Sequence, residues 1–211
     1  MSVTWVILTV SQQEMRAFFM ATTEPIRDKR QIKEMASFYL KQGKLRNYLL
    51  IVMGVHTGLR VSDLLRLRRG DVYDFDSGCF RSHLTLTERK TGKAKTLALN
   101  KKVLTALALC FGGNLGCSED FLFPNNRKKS TSIGRVQAWR IVKKAAQAIG
   151  VAGCIGCHSL RKTLGYHAWK AGVAAVLLMD IFNHSNFETT KRYLGVSQDE
   201  RDKVYLSLAL I

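Results

Sequence analysis

The segment Cys157-His158-Ser159-Leu160-Arg161-Lys162-Thr163, followed by Phe182-Asn183-His184-Ser185 and then Lys191-Arg192-Tyr193-Leu194-Gly195, decides how this chain is read. Apolar residues recur around these segments at helical spacing, which predicts short amphipathic helices over 159–171, 173–182, 187–194 and 198–208. His158 and Arg161 stand three residues apart at the start of the first, so their side chains project from one face. A helix N-terminus also turns free backbone N–H groups toward any anion placed there. With Ser159 and Lys162 beside them, the pair predicts a phosphate cradle. Singly, such a histidine is a cap, such an arginine a solvated charge, and a lone tyrosine on a short helix a core or rim residue. Their joint order is what carries information.

The preceding chain predicts mainly helix. Asp28 opens a run in which Ile32, Met35, Phe38 and Tyr39 fall on one face up to Gly43, and Leu45 to about His56 is apolar enough to be central. Thr57-Gly58 breaks that helix. Ser62 can then cap a third helix from Asp63 to Arg69, stopped by Gly70. The period next changes to two. Val72 to Asp76, Phe80 to Thr87 and Lys95 to Leu99 alternate as three antiparallel strands, joined by turns at Ser77-Gly78 and Arg89-Lys90-Thr91-Gly92-Lys93. A helix from Lys101 to about Cys110 follows. Residues 133–149 then form a basic amphipathic helix with Ala138, Val142, Ala145 and Ile149 inward. The expected fold class is α+β, mainly α-helical, with one small three-stranded antiparallel sheet. Residues 1–27 read as an N-terminal lead-in and 28–211 as one domain.

Charge fixes the class of partner. Among 211 residues, 33 Lys+Arg stand against 16 Asp+Glu, a formal net charge of +17. Such a balance favours a polyanion, whose counterions are released as its phosphates are neutralised. No apolar stretch reaches the roughly 20 residues of a membrane span, so no membrane partner is expected. Five cysteines, an odd count with no export signal, point to reduced thiols in the cytoplasm. Cys154-Ile155-Gly156-Cys157-His158 does match the haem-attachment pattern of c-type cytochromes. That chemistry needs an oxidising compartment, and a zinc site with Cys110 and Cys117 would have poor spacing, so no metal or cofactor is expected.

The same residues carry a resemblance. Together with His56-Thr57-Gly58-Leu59-Arg60-Val61-Ser62-Asp63 and Lys90-Thr91-Gly92, the three C-terminal segments resemble the catalytic domain of the tyrosine recombinases, the phage-integrase family, from about residue 30 onward. The resemblance implies that Arg60 and Arg161 are the two catalytic arginines and that Lys90 is the lysine of the hairpin turn, with Lys93 its rival. His158 and His184 take the two histidine positions, and Tyr193 that of the nucleophile. It implies site-specific strand breakage and rejoining on double-stranded DNA through a 3′-phosphotyrosyl intermediate, serving integration, excision or resolution, without metal or ATP, by a homotetramer. A separate core-binding domain, usual before the catalytic domain in the family, is not expected in this chain.

That assignment is chemically coherent. Attack on a phosphodiester builds negative charge on the non-bridging oxygens, which arginines neutralise at any working pH. Tyr193, a phenol with an ordinary pKa near 10, needs a proton acceptor, for which His158 is the candidate, and the leaving 5′-oxygen needs a donor, for which Lys90 is the candidate. Arg135 and Arg140 on the basic helix, with Lys93 and Lys162, are candidate DNA contacts. A non-catalytic DNA-binding protein that retains the fold, or a type IB topoisomerase-like enzyme, are the alternatives.

Overall fold

The computed structural model describes residues 23–194 and 205–207. Eight helices and four short strands follow one another along the first of these stretches. Helix α1 (Lys29–Leu40) is capped by Asp28, whose carboxylate accepts from Arg30 N. Helix α2 (Leu45–Thr57) is buried continuously from Leu49 to Val55 and ends at Gly58, whose φ of 58° suits a residue without Cβ. A methyl added at Gly54 would lie 2.5 Å from Leu160 Cδ1. That close approach seats α6 (Cys157–Lys170) directly on α2.

Two sequence expectations meet tertiary structure here. The helix expected over 63–69 is instead a single turn, α3 (Val61–Leu64), followed by a separate 3-10 turn at Arg69–Asp71. The backbone between them pairs elsewhere: Leu122 N donates to Leu67 O, Arg69 N to Asp120 O and Gly70 N to Ser118 O. Neighbouring extended chain thus takes the groups a helix would have used. The three-stranded sheet resolves into two separate two-stranded ladders. Strand β1 (Tyr73–Asp74) pairs with β2 (Cys79–Phe80), and β3 (His83–Thr87) with β4 (Ala94–Ala98). The run from Phe80 to Thr87 bends at Arg81-Ser82, where Arg81 N still bonds Val72 O while Ser82 O already accepts from Leu99 N. One alternating run therefore serves two hairpins.

Helix α4 (Lys101–Phe111), capped by Asn100, packs beside α2, and α5 (Arg135–Ala148) lies along α1. Ala138, Val142 and Ala145 of α5 are fully enclosed, with Ile149 at the edge. Ile26 is buried and its N–H donates to Thr163 Oγ1, so the chain just before α1 is stitched to α6. The C-terminal helices α7 (Ala175–Phe182) and α8 (Phe187–Leu194) fold against α6 around a second, smaller apolar cluster of Leu178, Phe182 and Leu194. Most of the lead-in lies outside the described residues, and so does most of the 198–208 helix, of which Tyr205–Ser207 are helical and exposed.

Candidate active site

A cavity of about 1010 Å³ opens between α3, the β3–β4 turn and the starts and ends of α5 to α8. Arg60, Lys90, His158, His184 and Tyr193 line it, joined by Lys93, Lys162 and Arg135. Arg60 comes from the extended residue that begins α3. Lys90 and Lys93 both stand on the exposed β3–β4 turn, which is closed by Gly92 N donating to Glu88 O. His158 occupies the first turn of α6, which starts two residues earlier than the sequence pattern indicates because Ser159 Oγ accepts from Gly156 N. His184 follows the C-terminus of α7, and Tyr193 sits in the last turn of α8.

Tyr193 is boxed by rings and cations. Its hydroxyl is hydrogen-bonded to His158 Nε2. Its ring meets His158 edge-on at 4.8 Å and His184 at 4.5 Å between centroids, and the Lys162 ammonium stands 5.6 Å from the ring centre. Burial raises the phenol pKa, while Arg161, by charge and hydrogen bonding, and Arg60, by charge, pull it back. Enclosure in the cavity pushes His158 down to about 4, helped by the charges of Arg161, Lys162 and Arg60. His184 is pushed to about 4 by burial and the same two arginines. Both imidazoles are therefore neutral at physiological pH, so His158 can receive a proton. Thr190 Oγ1 lies 3.0 Å from His184 Nδ1, which leaves Nε2 as the nitrogen that can face the cavity.

Arg161 stands apart from the other expected site residues. It is completely buried beneath the cavity, with Nη1 donating to Gly58 O at 2.5 Å and Nη2 to Phe182 O at 2.7 Å. Its guanidinium carbon also lies 4.9 Å from the Phe182 ring centre. Its charge reaches Tyr193 from below while its terminal nitrogens hold two chain segments. Lys162 is buried as well, its ammonium donating to Thr23 O. Arg135 and Trp139 of α5 face the cavity, whereas Gln137, Arg140 and Lys144 face a second basic hollow shared with Lys44 and Arg46. The two arginine DNA-contact candidates therefore lie on different flanks of one helix.

Several site residues escaped the sequence pattern. Glu88 is 1% exposed and its Oε2 lies 2.7 Å from Arg60 Nη1. Asn183, Thr190 and Lys95 are further examples, and the Lys95 ammonium donates to Ile181 O at the end of α7. Only Asn183 had a sequence signal, since asparagine favours the residue that stops a helix. Among the described residues, no group of three or more His, Cys, Asp or Glu is arranged to hold a metal ion. Burial pushes the Cys157 thiol up to about 12, which keeps it protonated. No helix among the described residues is long and apolar enough to cross a membrane.

The profile of the "Phage integrase family" matches residues 27–200. The chain belongs to this family. It is 34% identical over 187 residues to the "Probable integrase/recombinase YoeC" of Bacillus subtilis, covering 88% of this chain and 97% of that one. It is 25% identical over 158 residues to the tyrosine recombinase XerA of Pyrococcus furiosus, covering 75% and 53%. The chain thus spans nearly all of the first of these curated relatives and only about half of the second. A crystal structure of XerA recombinase superposes with a TM-score of 0.71 at 19% identity, covering 90% of this chain and 66% of that chain. That likeness identifies the fold as the catalytic domain of tyrosine recombinases, mainly helical with small antiparallel hairpins.

Proposed function

We propose that this integrase-family chain is a site-specific DNA recombinase that cleaves and rejoins strands through Tyr193. The observation that carries the reading is the hydrogen bond between the Tyr193 hydroxyl and His158 Nε2 inside a cavity lined by Arg60 and Lys90. The Tyr193 oxygen forms a bond to phosphorus as the bond to the 5′-oxygen breaks. The phenolic proton passes to His158, and Lys90, or Lys93 on the same turn, supplies the proton that the departing 5′-oxygen takes up. Arg60 in the cavity and Arg161 beneath it balance the charge that builds on the phosphate, with the Nε2–H of His184 as a further donor. These cations supply the positive charge that a nuclease would draw from a metal, so no cofactor is required. The product is a 3′-phosphotyrosyl chain and a free 5′-hydroxyl, and the reverse step rejoins strands without ATP.

Double-stranded DNA is the partner, held by the basic cavity and by Arg135 and Arg140 of α5. Residues 28–211 act as the catalytic unit, and a tetramer holds two duplexes. The test uses a pool of nicked, labelled duplexes incubated in EDTA with wild type and Tyr193→Phe. A labelled band that survives denaturation with wild type alone is the expected result. DNA binding in native gels without that band would favour a non-catalytic binding protein, and activity restored only by magnesium would contradict the metal-free step.

A further inference from the structure

Asn183, the residue that ends α7, has a φ of 51°, the only positive φ outside glycine among the described residues. Glycine occupies that region without steric cost, and asparagine is among the few others that tolerate it. Here the side chain has work that glycine could not do. Its Nδ2 donates to Glu88 Oε2 at 3.0 Å and to Thr91 Oγ1 at 3.0 Å. The Thr91 hydroxyl donates to the same Oε2 at 2.9 Å, and Arg60 Nη1 stands 2.7 Å from it. One buried carboxylate oxygen therefore gathers three chain segments: the entry to α3 with Arg60, the turn with Lys90 beside Thr91, and the end of α7 with His184 beside Asn183.

We propose that Glu88, Thr91 and Asn183 form a polar clasp whose members are positioning residues for strand cleavage, holding the Lys90 turn in register with the end of α7 and the entry to α3. The proposal rests on the recombinase reading for its chemistry and on hydrogen bonding for its structure. The turn is otherwise exposed from Arg89 to Ala94, so the clasp is its principal anchor on the cavity side beside the Arg89 N–H to Asp63 bond. Hydrogen bonds and the Arg60 charge hold the Glu88 carboxyl at about 2 against the opposing effect of burial, so it remains an anion throughout the working range. It also offsets part of the charge concentrated by Arg60, Arg161 and Lys95.

The test compares wild type with Asn183→Gly, which keeps the backbone conformation and deletes the amide, and with Glu88→Gln, which keeps the shape and deletes the charge. Hydrogen exchange over residues 86–95 should rise in both variants, with no loss of DNA affinity in native gels. Adduct formation on a nicked phosphodiester duplex should fall about 10-fold in Asn183→Gly through misplacement of the turn. A duplex with sulfur replacing the bridging 5′-oxygen should restore the rate to within about 2-fold, because a thiolate leaves without an acid. The double variant should cleave no more slowly than Glu88→Gln alone. Wild-type exchange in Asn183→Gly overturns the proposal, as does raised exchange with wild-type cleavage, or a defect equal on both duplexes. A wild-type chain that forms no adduct refutes the strand-cleavage reading instead, and the exchange comparison then decides whether the clasp ties the turn.

Discussion

The part of the molecule that carries Arg60 and the part that carries Tyr193 are packed differently. Arg60 leaves a large core in which Met35, Leu49, Met53, Leu107, Phe123 and Val142 are enclosed among α1 to α5. His184 follows α7 and Tyr193 stands on α8, and the cluster of these two helices centres on Leu178, Phe182 and Leu194. Val176 and Leu177 of α7 are largely exposed, so part of that helix's apolar surface stays uncovered within the described residues although Leu178 and Phe182 are buried. Polar bonds make up the difference: Arg161 to Phe182 O, Lys95 to Ile181 O and Asn183 to Glu88. The nucleophile thus rides on a unit whose attachment depends on a few directional bonds, whereas the arginine entrance is fixed by bulk packing. Units of the first kind open locally at lower free energy than whole domains.

Arg161 is fully buried and makes two such bonds, so removing it should have the largest effect. Arg161→Met keeps an unbranched apolar stem but leaves the carbonyls of Gly58 and Phe182 without their donor and takes a cation from beneath Tyr193. Losing the partner of buried groups costs on the order of 2–4 kcal/mol, read as a lower urea midpoint. Adduct formation should fall by about 100-fold or more, the scale of losing a preorganised charge. A variant that melts like wild type would break the view that this arginine joins the two parts.

A pair of glycines separates them. At Gly54, an added methyl meets Leu160 Cδ1 at 2.5 Å, and Leu160 Cβ at 3.2 Å limits the escape; at Gly165 it meets Phe182 Cε2 at 2.8 Å and Cζ at 3.0 Å. Each alanine should cost about 1–3 kcal/mol by overpacking. The costs should fall in different places. Gly54→Ala strains α2 against α6 and should lower the global unfolding midpoint. Gly165→Ala pushes on Phe182 and should raise hydrogen exchange across 175–194 while the central amides of 45–57 keep their protection. Equal loss of protection in both segments would show one cooperative unit.

The sequence carried more of the large core than of the joint. Periodicity marked α1 and α5, each of which buries one apolar face over three or more turns, and an almost unbroken apolar run marked α2. The run from Asp63 to Gly70 misled because its competitor for hydrogen bonds, the chain around Ser118 to Leu122, lies some fifty residues away and leaves no local mark. The break at Arg81-Ser82 was hidden likewise, since alternation continues through it. At the site, residue types in order pointed to His158, His184, Tyr193, Arg60 and Lys90, which the fold brings to one cavity. Nothing in the order separated Arg161, beneath the floor, from Arg60, within the cavity, because burial of a charge depends on which carbonyls wait for it. Glu88 was equally silent: an acid before a basic turn reads as a surface charge until Arg60 and Asn183 are seen to converge on it.

Acid should sharpen the comparison with a smaller effect. His158 and His184 are both held near 4 in the folded site, below the ordinary 6.5. An opened or unfolded chain then binds protons that the closed site refuses, so the stabilisation is complete above about pH 6.5 and declines as pH falls toward 4. Glu88 is held near 2 against an ordinary 4.5, so its own loss begins only below about 4.5. Between pH 6.5 and 5 the loss therefore comes from histidines: burial also lowers His56 at the end of α2 and His167 of α6, but only His158 and His184 pack against the Tyr193 ring. Both border α8, so exchange across 175–194, corrected for its intrinsic pH dependence, should accelerate by less than about 10-fold at pH 5 relative to pH 7. Residues 45–53 should not follow, whereas the last turn of α2 carries His56, itself lowered by burial and the Lys102 charge. His184→Gln should remove much of the acceleration, because a neutral amide in its place has no proton to gain. If residues 45–53 loosen in step with α8, acid is acting on the whole domain, and the nucleophile's unit has no separate stability.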